Sequence, residues 1–168
     1  MANIQDIRAG GQPQKNYEFE VEILGSAVGG NLPILTQRVQ NATIPETSVE
    51  TFEIQYKSRK TIYAGRDASA HTTTITFWND ESNSVYRFFK LWIENGISNS
   101  TVGGGVTRDL YSAQLRIKQM ATDSNTVTAS HLLTGVYPTS IGDIQLSYDG
   151  SEATTIDVTF SFETNNLE

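Results

Sequence analysis

The side chains best able to do chemistry are sparse. Two histidines, His71 and His131, stand far apart, and there is no cysteine. Zinc sites draw several His or Cys ligands from short spacings, and neither histidine has a partner three to five residues away. A serine nucleophile for His131 would call for a G-x-S-x-G elbow, which the chain lacks. Both histidines are therefore expected as polar or half-buried strand residues. Gly103-Gly104-Gly105 resembles part of a phosphate loop, but no Gly-Lys-Ser/Thr follows it. Asp143, Asp149 and Glu152 cluster near one turn without the spacing of a twelve-residue calcium loop. The triplets at Asn41 and Asn99 match a glycosylation site, which has no meaning without secretion. Carboxylates are everywhere, and nothing singles out the opposed pair a glycosidase uses. The expectation is no enzyme, no catalytic residue, no metal and no cofactor.

Two other features carry more information. Glu18, Glu20 and Glu22 alternate with Tyr17, Phe19, Val21 and Ile23, so a strand here puts three carboxylates on one face. That face is either solvated, paired with Arg116 and Lys118 of another strand, or functional. Further on, Lys57-Ser58-Arg59-Lys60 holds three basic residues in four positions, between the alternating Phe52, Ile54, Tyr56 and the returning Ile62, Tyr63. A hairpin over about 48–66 exposes that apolar area unless something covers it, and its edges invite pairing. It reads as a docking arm for self-assembly.

The elements that position these residues are mostly strands. Twenty threonines, fourteen isoleucines and ten valines favour a pleated, half-buried surface. Strands are expected at 17–23, 34–42, on both sides of the hairpin, at 72–78, 111–120, 127–137, 142–148 and 154–163, the last two joined by an Asp149-Gly150 hairpin turn. One helix is expected over about 81–95. Asp80 or Asn79 caps it, Val85, Phe88, Phe89, Trp92 and Ile93 make one apolar stripe, and Gly96 stands past its end. The class is mainly β: a β-barrel or β-sandwich of about eight strands with one packed helix. Residues 1–15 read as an N-terminal arm and 16–168 as a single domain.

Charge limits the partners. The formal net charge is −7, divided between the two halves, and no basic domain offers the clustered cations of tight phosphate binding. No stretch approaches the ~18 apolar residues of a membrane-spanning helix, and no basic-then-apolar leader is visible. The expectation is a soluble protein made in a reducing compartment, with no membrane insertion.

Five stretches together resemble the tail tube proteins of contractile bacteriophages. They are Asn16-Tyr17-Glu18-Phe19-Glu20-Val21, Ala42-Thr43-Ile44-Pro45, Arg59 to Arg66, Thr76-Phe77-Trp78-Asn79-Asp80-Glu81 entering the helix, and Gly135-Val136-Tyr137-Pro138-Thr139-Ser140-Ile141-Gly142 leading to the last strand. The resemblance implies hexameric rings stacked into a hollow tube, through which double-stranded DNA passes without being held. It implies tail sheath, baseplate and tail terminator proteins as partners, the virion as location, and assembly in the host cytoplasm. It also implies inter-ring contacts through Phe52, Ile54, Tyr56, Lys57, Arg59, Lys60, Ile62, Tyr63 and Arg66, helped by the N-terminal arm and residues 164–168. Glu18, Glu20 and Glu22 then become candidates to face the lumen. The alternatives are the inner tube of a phage-like extracellular contractile injection system and a monomeric β-sandwich binding module.

Overall fold

A computed structural model of the chain describes residues 14–25, 32–97, 107–123, 125–150 and 152–168. Most of the N-terminal arm and the Gly103–Gly105 loop fall outside the described residues.

Seven of the nine described strands form one sheet. Its order is β1 (Phe19–Leu24), β6 (Ala113–Met120), β7 (Val127–Ile141), β8 (Thr155–Ser161), β5 (Thr72–Trp78) and β2 (Val39–Ala42), all antiparallel, with β9 (Thr164–Leu167) also on β7. The fold is mainly β as expected. The sheet, however, is an open path: among the described residues no ladder joins β1 to β2, so it is not closed into a barrel.

The long strand β7 turns the sheet on itself. Its first part pairs with β6 and β9, and its last part, Tyr137 to Ile141, pairs with β8. At this corner Gly135 has φ +61, a left-handed conformation that glycine adopts without the strain a side chain would bring, and a Cβ there would also displace the Arg108 guanidinium. Pro138 is accommodated beside a bulge, where a missing N–H is tolerated. The two arms of the sheet thus bury their inner faces together. Val21, Leu115, Ile117 and Leu133 from one arm meet Ile75, Phe77, Ile156, Val158 and Phe160 from the other in one core. Each such side chain contributes roughly 1.5–3 kcal/mol by leaving water.

The helix closes the core. It begins at Ser84, three residues later than its sequence signal, because Asp80 caps from a distance: its carboxylate accepts the Ser84 N–H at 2.7 Å while Asn83 takes a left-handed conformation. α2 (Ser84–Leu91; α1, Leu32–Gln37, precedes β2) buries Val85 and Phe89 and runs on as a π-helical turn, Trp92–Ile97. Gly96 lies inside that turn rather than terminating the helix. Phe89 packs on Phe77 and Phe160 with ring centroids 5.0 and 5.7 Å apart. Trp92 donates its indole N–H to the Tyr111 carbonyl at 2.8 Å, which ties the helix end to α3 (Arg108–Tyr111).

Two strand expectations fail. Residues 34–37 are helical, since Pro33 falls in the first turn of α1, where no intrahelical N–H bond is lost. Residues 142–148 form no strand, and Leu146 and Tyr148 are exposed. β7 has already supplied the partner of β8, so the alternation at Ile144, Leu146 and Tyr148 has no ladder to join.

Candidate assembly interface

The hairpin stands apart from this body. β3 (Val49–Tyr56) and β4 (Arg59–Asp67) pair only with each other, in regular register from Thr51↔Ala64 to Tyr56↔Arg59. The two-residue turn, Lys57-Ser58, has φ of 46° and 66°. Positive φ at both central positions is the primed geometry whose twist matches a β-ribbon. No residue of either strand is buried.

Register divides the ribbon into two unlike faces. Phe52 and Tyr63 are directly opposed and stack at 5.5 Å, followed along the same face by Ile54 with Thr61 and by Tyr56 with Arg59. The other face holds Thr51, Glu53, Gln55, Lys60, Ile62 and Ala64, with Lys60 donating to Glu53 at 3.0 Å, and a bulge near the root interrupts the alternation before Arg66. Phe52, Ile54, Tyr56 and Tyr63 remain 46–70% exposed. Cross-strand pairs stabilise a ribbon by roughly 0.2–1 kcal/mol each, far less than burial would add. The Lys57 ammonium sits over the Tyr56 ring, 5.3 Å from its centroid, so the tip presents its cations beside aromatic surface.

Hydrogen bonds close the root. Ala68 donates its N–H to the Ser48 backbone carbonyl at 2.9 Å, and the Asp67 carboxylate accepts both the hydroxyl and the N–H of Ser69 at 2.6 and 2.9 Å. Those bonds hold the Asp67 carboxyl below its usual range. His71, with φ 53°, lies 3.4 Å from Asp67 and tilts against Phe162. The ribbon is therefore a defined projection.

The glutamates are arranged differently from their sequence pattern. A turn over Asn16 and Tyr17 delays β1 to Phe19, leaving Tyr17 exposed and Glu18 buried, 3.6 Å from Lys15. Glu18 thus does not share an open face with the other two. Glu20 and Glu22 point outward as the alternation requires, and β6 brings Lys118 and Arg116 opposite them. Lys118 bridges both, and Arg116 lies 4.0 Å from Glu22 and 3.2 Å from Glu168. The hydrogen bond to Glu22 holds the Lys118 ammonium above its usual value against partial burial. Residues 164–168, expected as contacts between copies, lie in this chain's own sheet as β9 and the Glu168 ion pair; no alternation in Thr-Asn-Asn-Leu announced that strand.

His131 approaches only Asn165, at 3.4 Å, and among the described residues no three His, Asp or Glu side chains are grouped as metal ligands. Among the described residues the sheet instead has open edges: β1, β2 and β9 each pair with one strand only, and a cleft between β1 and β2 is lined by Tyr17, Phe19, Val39 and Trp78. Open edges together with an amphipathic ribbon that no described element covers make this surface a candidate for assembly.

Comparison with known proteins agrees. The family described as phage tail tube protein matches residues 13–168, and this chain belongs to it. Tail tube protein gp19 of Enterobacteria phage T4 is 31% identical over 148 residues, 86% of each chain, and so is that of phage T6. These relatives are structural tail components, not enzymes. The sheath-tube complex of an extracellular contractile injection system, in its extended state, contains a chain of the same fold. Its TM-score is 0.66, at 11% identity over 100% of this chain and 99% of that one. A chain from the baseplate of the anti-feeding prophage has a TM-score of 0.70, at 9% identity over 94% and 97%.

Proposed function

We propose that this tail tube protein forms hexameric rings that stack into the conduit of a contractile phage tail, and that β3–β4 is the arm by which one ring grips the next. The observation that carries the reading is the ribbon itself: preformed, closed at its root, and apolar on one face with no described element of its own chain upon it. Its basic tip also suits an acidic body, since a chain of net charge −7 offers its copies more carboxylates than cations. Phe52, Ile54, Tyr56 and Tyr63 supply the buried centre of the contact, and Lys57, Arg59, Lys60 and Arg66 its charged surround. The N-terminal arm adds to it.

On this reading the tube is assembled in the host cytoplasm, is enclosed by a sheath, and is bounded by baseplate and terminator proteins, with double-stranded DNA as its cargo. The fold is shared with chains from sheath-tube and baseplate structures of contractile injection systems. The curated relatives are phage proteins, which favours genome cargo over an extracellular injection device.

Negative-stain microscopy of the purified chain tests the arm. With Lys57, Arg59 and Lys60 all changed to Glu, rings should persist while stacking into tubes is lost. Tubes of undiminished length at the same protein concentration would remove the tip from the contact.

A further inference from the structure

A duplex-bearing tube must have a wall past which a polyanion slides, and the two outer faces of the folded sheet differ sharply in fitness for it. The face of β1 and β6 carries Arg116 and Lys118 among its carboxylates. The outer face of β5 and β8 presents Thr72, Thr74 and Thr76 opposite Ser161, Thr159 and Asp157. Neither strand contains a Lys or an Arg. Trp78 marks one end, and the side chains between these positions, Thr73, Ile75, Phe77, Ile156, Val158 and Phe160, are buried.

Several hydroxyls of this face are engaged by partners within the chain. Thr76 donates to Asp157 at 2.6 Å, Ser161 to the His71 carbonyl at 3.4 Å, and Thr139 of β7 to the Thr159 carbonyl at 3.0 Å. Of Thr74 and Thr159, 3.4 Å apart across the ladder, one hydroxyl donates to the other. With these donors engaged, the surface is rich in acceptor oxygens and carries one carboxylate. Such a surface holds water well and offers phosphate oxygens few donors and no cation.

We propose that the hydroxyl face of β5 and β8, not the glutamate row of β1, is the lumen wall along which double-stranded DNA moves. This rests on the tube reading above and assigns its inner surface. Cations repeated around every ring would grip the duplex by counterion release, at a slope of about −0.9 in log affinity per phosphate contact. Acceptor oxygens give no such grip.

The absence of cysteine makes the test direct. Single variants Thr159→Cys and Thr74→Cys are each co-assembled with an excess of the unmodified chain, so that tubes form even if a variant assembles poorly alone. Tubes are exposed to a small maleimide dye and to a maleimide carried on a globular protein too wide for a duplex-sized bore. Unassembled variant serves as the reference for both reagents. The dye should label both positions in tubes at nearly its reference rate, while the protein-borne maleimide should lose nearly all its labelling. Full labelling by the protein-borne reagent would put the face outside the tube, and loss of both would bury it between copies; either overturns the assignment. If the unmodified chain never forms tubes, the tube reading itself fails, and the wall with it.

Discussion

β3–β4 and β5–β8 are both regular antiparallel pairs of similar length, and their fates in the monomer are opposite. In β5–β8 every second side chain is buried, with Ile75, Phe77, Ile156, Val158 and Phe160 at 0% exposure. In β3–β4 no side chain is buried, although the ribbon alternates as strongly and is closed by its own two-residue turn. Alternation and turn chemistry therefore decide that a strand pair forms and which residues share a face. What those faces meet is decided by the rest of the chain. A ribbon on which no other described element packs leaves its apolar face open.

The comparison is broken or sharpened by substitution on each side. Phe77→Ala should destabilise the unassembled chain by about 3–5 kcal/mol in chemical denaturation, as a large cavity in an aromatic core does. Phe52→Ala should leave that midpoint within about 0.5 kcal/mol of the parent, as surface changes do, while tube formation is lost by microscopy. Equal losses of stability from the two variants would mean that the ribbon lies against its own body.

A smaller effect concerns the turn. Lys57 and Ser58 hold positive φ that glycine and asparagine adopt with less strain. Lys57→Asn with Ser58→Gly should slow hydrogen exchange of the Gln55 and Tyr56 amides while barely moving global unfolding. A shift of the whole unfolding curve would tie the ribbon to the body's cooperativity.

The smallest effect is at acid pH, on the body side. The Asp80 carboxyl lies well below its ordinary value because Ser82 and Ser84 hydroxyls, then the Ser84 N–H, bond its charged form. A depressed folded value stabilises fully above the unfolded value of about 3.9 and loses that contribution as pH falls below it. Asp80→Asn should therefore lower stability at neutral pH and flatten the decline below about pH 4, as read from thermal midpoints. A variant whose acid decline parallels the parent's would show that Asp80 is not a source of it.

Much of the candidate interface is legible in the residues because the causes of the ribbon are local. The period of two in Phe52, Ile54 and Tyr56 and the cluster Lys57-Ser58-Arg59-Lys60 predict a tipped ribbon without reference to anything distant. Helix α2 was recognisable for the same reason, although Asp80 and Asn83 together shift its start and a π-helical turn absorbs Gly96. Glu18 could not be placed, since one turn at Asn16 and Tyr17 removes it from the row. β9 lacked any periodic signal, and the apparent strand at 142–148 had one without a partner.

By itself the sequence determined the class: β-branched, alternating, acidic, and furnished with a projecting arm, all consequences of side-chain type acting on neighbours in the chain. Only the tertiary structure decided which carboxylates stay paired, that the sheet remains open between β1 and β2, and that Thr76 and Asp157, distant in the chain, bond across the outer face of β5 and β8. Those outcomes depend on which distant strand lies alongside, through register and the Gly135 corner, and no local pattern carries that information.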